Sequence, residues 1–175
     1  MKKSILLSAI FSLLLTYQLV AQTSMSDVIR TEAKVYATAT FSGDAETMFQ
    51  YTYPKMVELI GGKPSFIAQF KMNIEGLKTS NILLKSINCG DPGPIFKAGN
   101  ELHAIIPQLQ IVENDEYVMK TKEYLLAIST NGGKSWYFMN LTGFDNQTIK
   151  YYFPDFNDQL EIPQKLDPEF EYKNK

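Results

Sequence analysis

Near Ser80 the spacing of apolar residues changes from helical to strand-like, and this switch restricts the possible folds more than any single motif. Before it, Val28, Ile29, Ala33, Val35, Tyr36 and Ala39 outline a first helix that Ser26 would cap and Ser42-Gly43 would end. Asp44 can cap a second, short helix carrying Met48, Phe49 and Tyr51. Pro54 suits the first turn of a third, which Gly61-Gly62 stops, and Pro64 opens a fourth with Phe66, Ile67, Phe70, Ile74 and Leu77. After Ser80 come β-branched and aromatic runs, 82–89, 102–112, 117–129 and 135–141, separated by turn residues. Pro107 within the second run predicts an edge position or a bulge. A helical turn is expected after Asp145, and Pro154, Pro163 and Pro168 make 154–175 read as an extended tail. Helices first and a strand meander afterwards is the order of an α+β fold, with N-terminal helices packed on a curved antiparallel β-sheet, a cone-like fold.

Two hairpin turns, Asn114-Asp115 and Asn131-Gly132, set an expected register. With two-residue loops, His103 lies opposite Leu126 and Ile106 opposite Glu123, while Leu126 lies opposite Tyr137 and Ala127 opposite Trp136. One face then holds His103, Ile105, Tyr124, Leu126, Ile128, Tyr137 and Met139; the other holds Leu102, Ala104, Ile106, Leu125, Ala127, Trp136 and Phe138. Both faces are apolar, whereas a half-solvated sheet would alternate. Helices can cover one. The other needs a second subunit or the C-terminal tail, so a homodimer through a sheet face is expected.

The N-terminus carries a different signal. Lys2 and Lys3 precede an apolar run from Ile5 to Val20, roughly 16 residues against the ~20 that span a bilayer, and Leu19-Val20-Ala21 ends in a small residue. Residues 1–21 therefore read as a signal peptide, 22–153 as one α+β domain and 154–175 as the tail. Export to the periplasm or the medium follows, with no membrane attachment after cleavage. The chain has 175 residues and a net charge of −2, and loss of Lys2 and Lys3 makes the remainder more acidic. That balance argues against nucleic acid and anionic membrane surfaces as partners. Cys89 is the single cysteine, so no intrachain disulfide forms, and it reads as a small core residue.

His103 is the single histidine, which excludes multi-histidine metal sites and leaves one imidazole for acid–base work. Neither a metal nor a cofactor is implied. A catalytic His103 would want an orienting carboxylate; the expected register puts Glu123 on the opposite face, while Glu101 shares its face two residues away. Tyr36, Tyr51 and Tyr53 fall on helices that would roof the sheet, where hydroxyls can bond a ligand. The expected ligand-binding set is Tyr36, Tyr53, His103, Tyr124 and Tyr137. Ser129-Thr130-Asn131-Gly132-Gly133-Lys134-Ser135-Trp136 resembles the Asp-box hairpin of sialidase-type propellers, with Asn131 in place of Asp. It occurs once, whereas a propeller repeats it, so it signals a tight hairpin with a packed Trp136. Asn140-Leu141-Thr142 and Asn146-Gln147-Thr148 match a glycosylation pattern that is common by chance.

With helices through Leu77 and a curved meander ending in Lys134-Ser135-Trp136-Tyr137-Phe138, the region resembles the nuclear transport factor 2-like (cone-fold, SnoaL-like) superfamily, which includes ketosteroid isomerase and scytalone dehydratase. Tyr51-Thr52-Tyr53-Pro54-Lys55 with Glu58-Leu59, Lys97-Ala98-Gly99-Asn100-Glu101-Leu102-His103, 124–129 and Phe153-Pro154-Asp155-Phe156-Asn157 are similar to a group of small secreted bacterial proteins without an assigned activity. The resemblance implies a small apolar molecule held in the cone. The superfamily's isomerases use a carboxylate base with a tyrosine, and its dehydratases a histidine with an aspartate; neither set maps onto this chain residue by residue. Fold analogy alone does not establish function. The expected function is therefore an exported non-enzymatic domain, binding a small apolar ligand in the cone or mediating protein contacts. The alternative is an isomerase- or dehydratase-like acid–base enzyme acting on a small apolar substrate and using His103 or a nearby acid with tyrosine help. A carboxylate aligned with His103 inside a closed cavity favours the enzyme. A cone filled by Met48, Phe49, Phe66 and Phe70 leaves no room for a ligand.

Overall fold

The computed structural model of the chain describes residues 25–174, so the expected signal peptide lies outside the described residues. Helix α1 covers 25–42 of them, followed by α2 (Ala45–Tyr51), α3 (Pro54–Leu59) and α4 (Gly62–Thr79). Ser26 is inside α1 rather than ahead of it, and the neighbouring Asp27 carboxylate pairs with Arg30 one turn on instead of capping. Asp44 does cap α2, accepting the Thr47 amide. Pro54 occupies the first turn of α3, and Gly61, at φ +94°, makes the left-handed link into α4, which begins at Gly62, two residues before Pro64. None of the described helices is long and apolar enough to cross a membrane.

The second half is a strongly curled antiparallel sheet. Two 13-residue strands, β3 (Glu101–Glu113) and β4 (Tyr117–Ser129), run through its centre. Two short strands flank each: β1 (Leu83–Cys89) and β2 (Phe96–Ala98) on β3, and β5 (Tyr137–Asn140) and β6 (Glu169–Tyr172) on β4. A short helix, α5 (Ile149–Tyr152), follows β5, and Asp145 organises the turn ahead of it by accepting the Gln147 and Thr148 amides. Pro107 causes no bulge against β4, where it pairs with Tyr124 in continuous register. Its nitrogen faces the gap between β1 and β2, since a strand residue's N and C=O share one side, and the Pro107 carbonyl there accepts the Gly90 amide at 2.8 Å. The position is a local edge.

Both hairpins differ from the expected register by two residues, for one kind of reason. Asn114 accepts the Glu116 and Tyr117 amides, each at 2.9 Å, on its side-chain oxygen, so the reversal falls on Asp115-Glu116 rather than on Asn114 itself. In the second hairpin Asn131 Oδ1 accepts the Lys134 and Ser135 amides, and Ser129 Oγ accepts the Gly133 amide at 2.9 Å. A wider loop results, with Gly132 and Gly133 both at positive φ, and Ile128 pairs with Tyr137. An even shift leaves every side chain on its face.

The two faces carry separate cores. On one, Ile29, Ala33, Tyr36 and Ala39 of α1 and Met48 of α2 pack on Ala104, Ile106, Leu125, Ala127, Trp136 and Phe138. Glu32 ties α1 to this sheet by accepting the Trp136 amide at 2.6 Å, and burial pushes its carboxyl up against the opposing pull of that bond. On the other, Tyr53, Leu141, Ile149, Phe153, Phe156 and Leu160 cover Ile105, Leu126, Ile128 and Met139. The face that raised the homodimer expectation is thus closed by the chain's own 141–160 segment. Within the tail, Phe156 and Leu160 are buried and β6 pairs with the start of β4.

Candidate functional site

Gly99, at φ +60°, opens the Gly99-Asn100 turn between β2 and β3, the pattern of a type II′ hairpin. The turn's positive φ favours glycine, and a Cβ there would meet the exposed Asp155 side chain, its carboxylate at 2.4 Å, which would have to shift. The turn starts β3 at Glu101 and places His103 two residues on, on the same face. Tyr53 reaches that face around the sheet edge: its amide donates to the Phe138 carbonyl of β5 at 3.1 Å, and its ring enters the second core.

There the Tyr53 hydroxyl donates to Glu101 Oε1 at 2.6 Å, and His103 Nε2 lies 3.0 Å from Glu101 Oε2. With Glu101 as the acceptor of both bonds, Nε2 carries the imidazole proton. Burial is the main cause that lowers the His103 pKa; Lys55 adds to it, and Glu101 opposes it. That direction favours the neutral ring. Phe153 meets it edge-on at 5.6 Å and Phe156 lies at 5.9 Å. Only 1 % of His103 is exposed, and its Nδ1 is buried with no hydrogen-bond partner. The nitrogen that could act as a base is thus sealed. Glu101, 19 % exposed, is the group that meets the cleft, a depression of about 250 Å³ lined also by Lys55, Asn100, Asp155 and Phe153.

A second depression lies on the opposite face of the sheet. Helix α4 buries none of its side chains completely; Phe66 and Phe70 stack with centroids 6.4 Å apart, pack half-buried against the first core, and line a groove with Tyr36, Met48 and Phe138. The groove measures about 250 Å³, and Thr52, Gln69, Asn73 and Asn140 with the Tyr36 hydroxyl are the polar groups along it. Of the four residues that would fill a cone, Met48 is buried in the core, while Phe66 and Phe70 leave the groove open. Phe49 turns outward to a depression of about 360 Å³ between α2 and α3.

The five expected ligand residues do not share one site. Tyr53 and His103 come together through Glu101. Tyr36 faces the α4 groove, its ring 5.3 Å from Phe138, and burial raises its phenol well above the ordinary value. Tyr124 borders a shallow depression with Leu141, Phe144 and Ile162. Tyr137 packs 6.4 Å from Tyr53 and opens onto the depression between α2 and α3. Sequence reasoning placed Glu101 on the right face but missed Lys55 and Asp155, which sit about 46 residues before and 54 after it in the chain and reach it only through folding. Among the described residues no group of three or more His, Cys, Asp or Glu is placed to hold a metal ion. No family model, curated protein or solved structure matches the chain.

Proposed function

We propose that this chain is an exported, non-catalytic domain that binds a small, mostly apolar ligand in the groove between α4 and the helix-covered face of the sheet. The observation that carries this reading is the make-up of the groove. Its walls are Tyr36, Met48, Phe66, Phe70 and Phe138, its polar groups are uncharged amides and hydroxyls, and no carboxylate, imidazole or lysine lines it. Apolar walls supply the driving force and a few polar atoms orient the ligand. The one ionisable group there, the Tyr36 phenol, stays protonated at neutral pH and serves as a donor. Acid–base catalysis has no base in this groove, which separates it from the enzyme alternative. The likeness of the sequence to cone-fold proteins, whose ligands sit between helices and curved sheet, points the same way.

Fluorescence titration of the mature protein with 1-anilinonaphthalene-8-sulfonate tests it. The expected result is saturable, one-to-one uptake that leaves the near-ultraviolet circular dichroism native and that Phe70→Glu weakens at least tenfold. Glu101→Gln, on the other face, leaves it unchanged. Uptake that is absent, unsaturable or indifferent to Phe70→Glu removes the proposal.

A further inference from the structure

We infer that the cleft around Glu101 is a second ligand site, on the face opposite the α4 groove, and that it takes a small zwitterion with an apolar side group, the chemistry of a free apolar α-amino acid. Three segments far apart in the chain meet there: Lys55 beside Tyr53, the 98–103 turn and strand start, and 153–156. Glu101 is held from behind by two nearly sealed side chains, Tyr53 at 2 % and His103 at 1 % exposure, with bonds of 2.6 and 3.0 Å. Those bonds take one acceptor position on each carboxylate oxygen and leave the others for a ligand ammonium. A fixed acceptor loses little freedom on binding, which favours affinity.

The charges at the rim point to the rest of the ligand. Lys55 and Asp155 line the same cleft, yet neither forms an ion pair with any described residue. An unpaired cation in a cleft with two carboxylates suits a molecule that carries both signs: its ammonium goes to Glu101 and Asp155, its carboxylate to Lys55. Phe153, Pro154 and Phe156 form an apolar wall for a side group. The volume of about 250 Å³ is below the ~300–1,000 Å³ of sites for drug-sized ligands, so a single amino acid is the matching scale.

Calorimetric titration of the mature protein compares three probes: L-phenylalanine, N-acetyl-L-phenylalanine, which lacks the ammonium, and phenethylamine, which lacks the carboxylate. L-Phenylalanine is expected to bind at least tenfold more tightly than either. Glu101→Gln should abolish the preference over the acetylated probe, and Lys55→Ala the preference over phenethylamine. Lys55 is exposed, so that second variant keeps the test informative if Glu101→Gln fails to fold. Phe70→Glu should change none of these affinities, which separates this site from the groove. No heat with millimolar L-phenylalanine, equal affinity for all three probes, or a preference indifferent to both variants overturns the inference.

Discussion

His103 and Glu101 illustrate how little a residue's type says until its surroundings are known. A lone histidine two residues from a glutamate was the one acid–base pair the chain offered, and the two do meet, 3.0 Å apart. The outcome is not a base aimed at a substrate, because Nε2 is spent on Glu101 and Nδ1 is sealed. The imidazole acts instead as a donor that fixes a carboxylate. Its pKa is lowered in the folded chain from the ordinary 6.5, chiefly by burial. The unfolded chain therefore takes up the proton first as pH falls. The stability linked to the neutral ring is complete above about pH 6.5 and is lost progressively as pH drops toward the lowered folded value. Thermal unfolding between pH 7.5 and 5 should show a declining midpoint, and His103→Gln should flatten that decline whatever it does to the midpoint at pH 7.5. An equally steep decline in the variant would assign the pH dependence to other groups. The meeting of His103 with Glu101 was legible because strand period 2 puts residues i and i+2 on one face. Tyr53 was not, since nothing local tells an N-cap tyrosine to turn around the edge of β5.

At the scale of elements, the Ser129–Trp136 hairpin shows why turns were harder to read than strands. Asn-Gly suggested a two-residue loop, but the Asn131 side chain folds back on the backbone, accepting amides from Lys134 at 3.2 Å and Ser135 at 3.1 Å and the Ser129 hydroxyl at 3.0 Å. Side-chain bonds of this kind compete with the ladder and widen the turn. Asn131→Ala should cost about 1–2 kcal/mol by leaving those donors without their acceptor. Asn131→Asp keeps the accepting oxygen and should stay within about 0.5 kcal/mol of the parent. Urea unfolding midpoints separate the two; similar losses in both variants would mean that the Asn131 amide nitrogen, which donates to Ser135 Oγ at 2.8 Å, carries the turn. Helix α4 makes the complementary point. Its apolar spacing announced a helix with a core-facing stripe, yet the stripe is only half covered, and the uncovered half borders the groove.

On the scale of the whole molecule, the sheet has two apolar faces and the chain supplies a cover for each. The second cover was open between a partner subunit and the C-terminal segment, and residues 141–160 take the place. Two truncations test how that cover is built. Removing 166–175 deletes β6, whose four residues are all exposed, and should shift the unfolding midpoint by no more than a few degrees. Removing 154–175 also takes Phe156 and Leu160, each 5 % exposed. At ~1.5–3 kcal/mol for each buried side chain, that loss should reach about 3–6 kcal/mol, a large share of a typical ~5–15. Sedimentation should then show self-association through the bared face. A monomer as stable as the full chain would mean that 154–160 merely rests on the sheet.

What the sequence determined by itself were the quantities that repeat locally: helices before strands, the limits of β1, β3, β4 and β5 to within a residue or two though not the short β2 and β6, and the sorting of β3 and β4 side chains onto two faces. That sorting survived two wrong turn positions because both register shifts were even, and period 2 is blind to an even shift. Only the tertiary structure decided which segment covers the second face, that α4 leaves a groove beside the first core, and that Lys55, Glu101 and Asp155 share a cleft. Those outcomes depend on contacts between residues tens of positions apart, where competing packings of similar apolar area are separated by shape and hydrogen-bond geometry rather than by any periodic pattern along the chain.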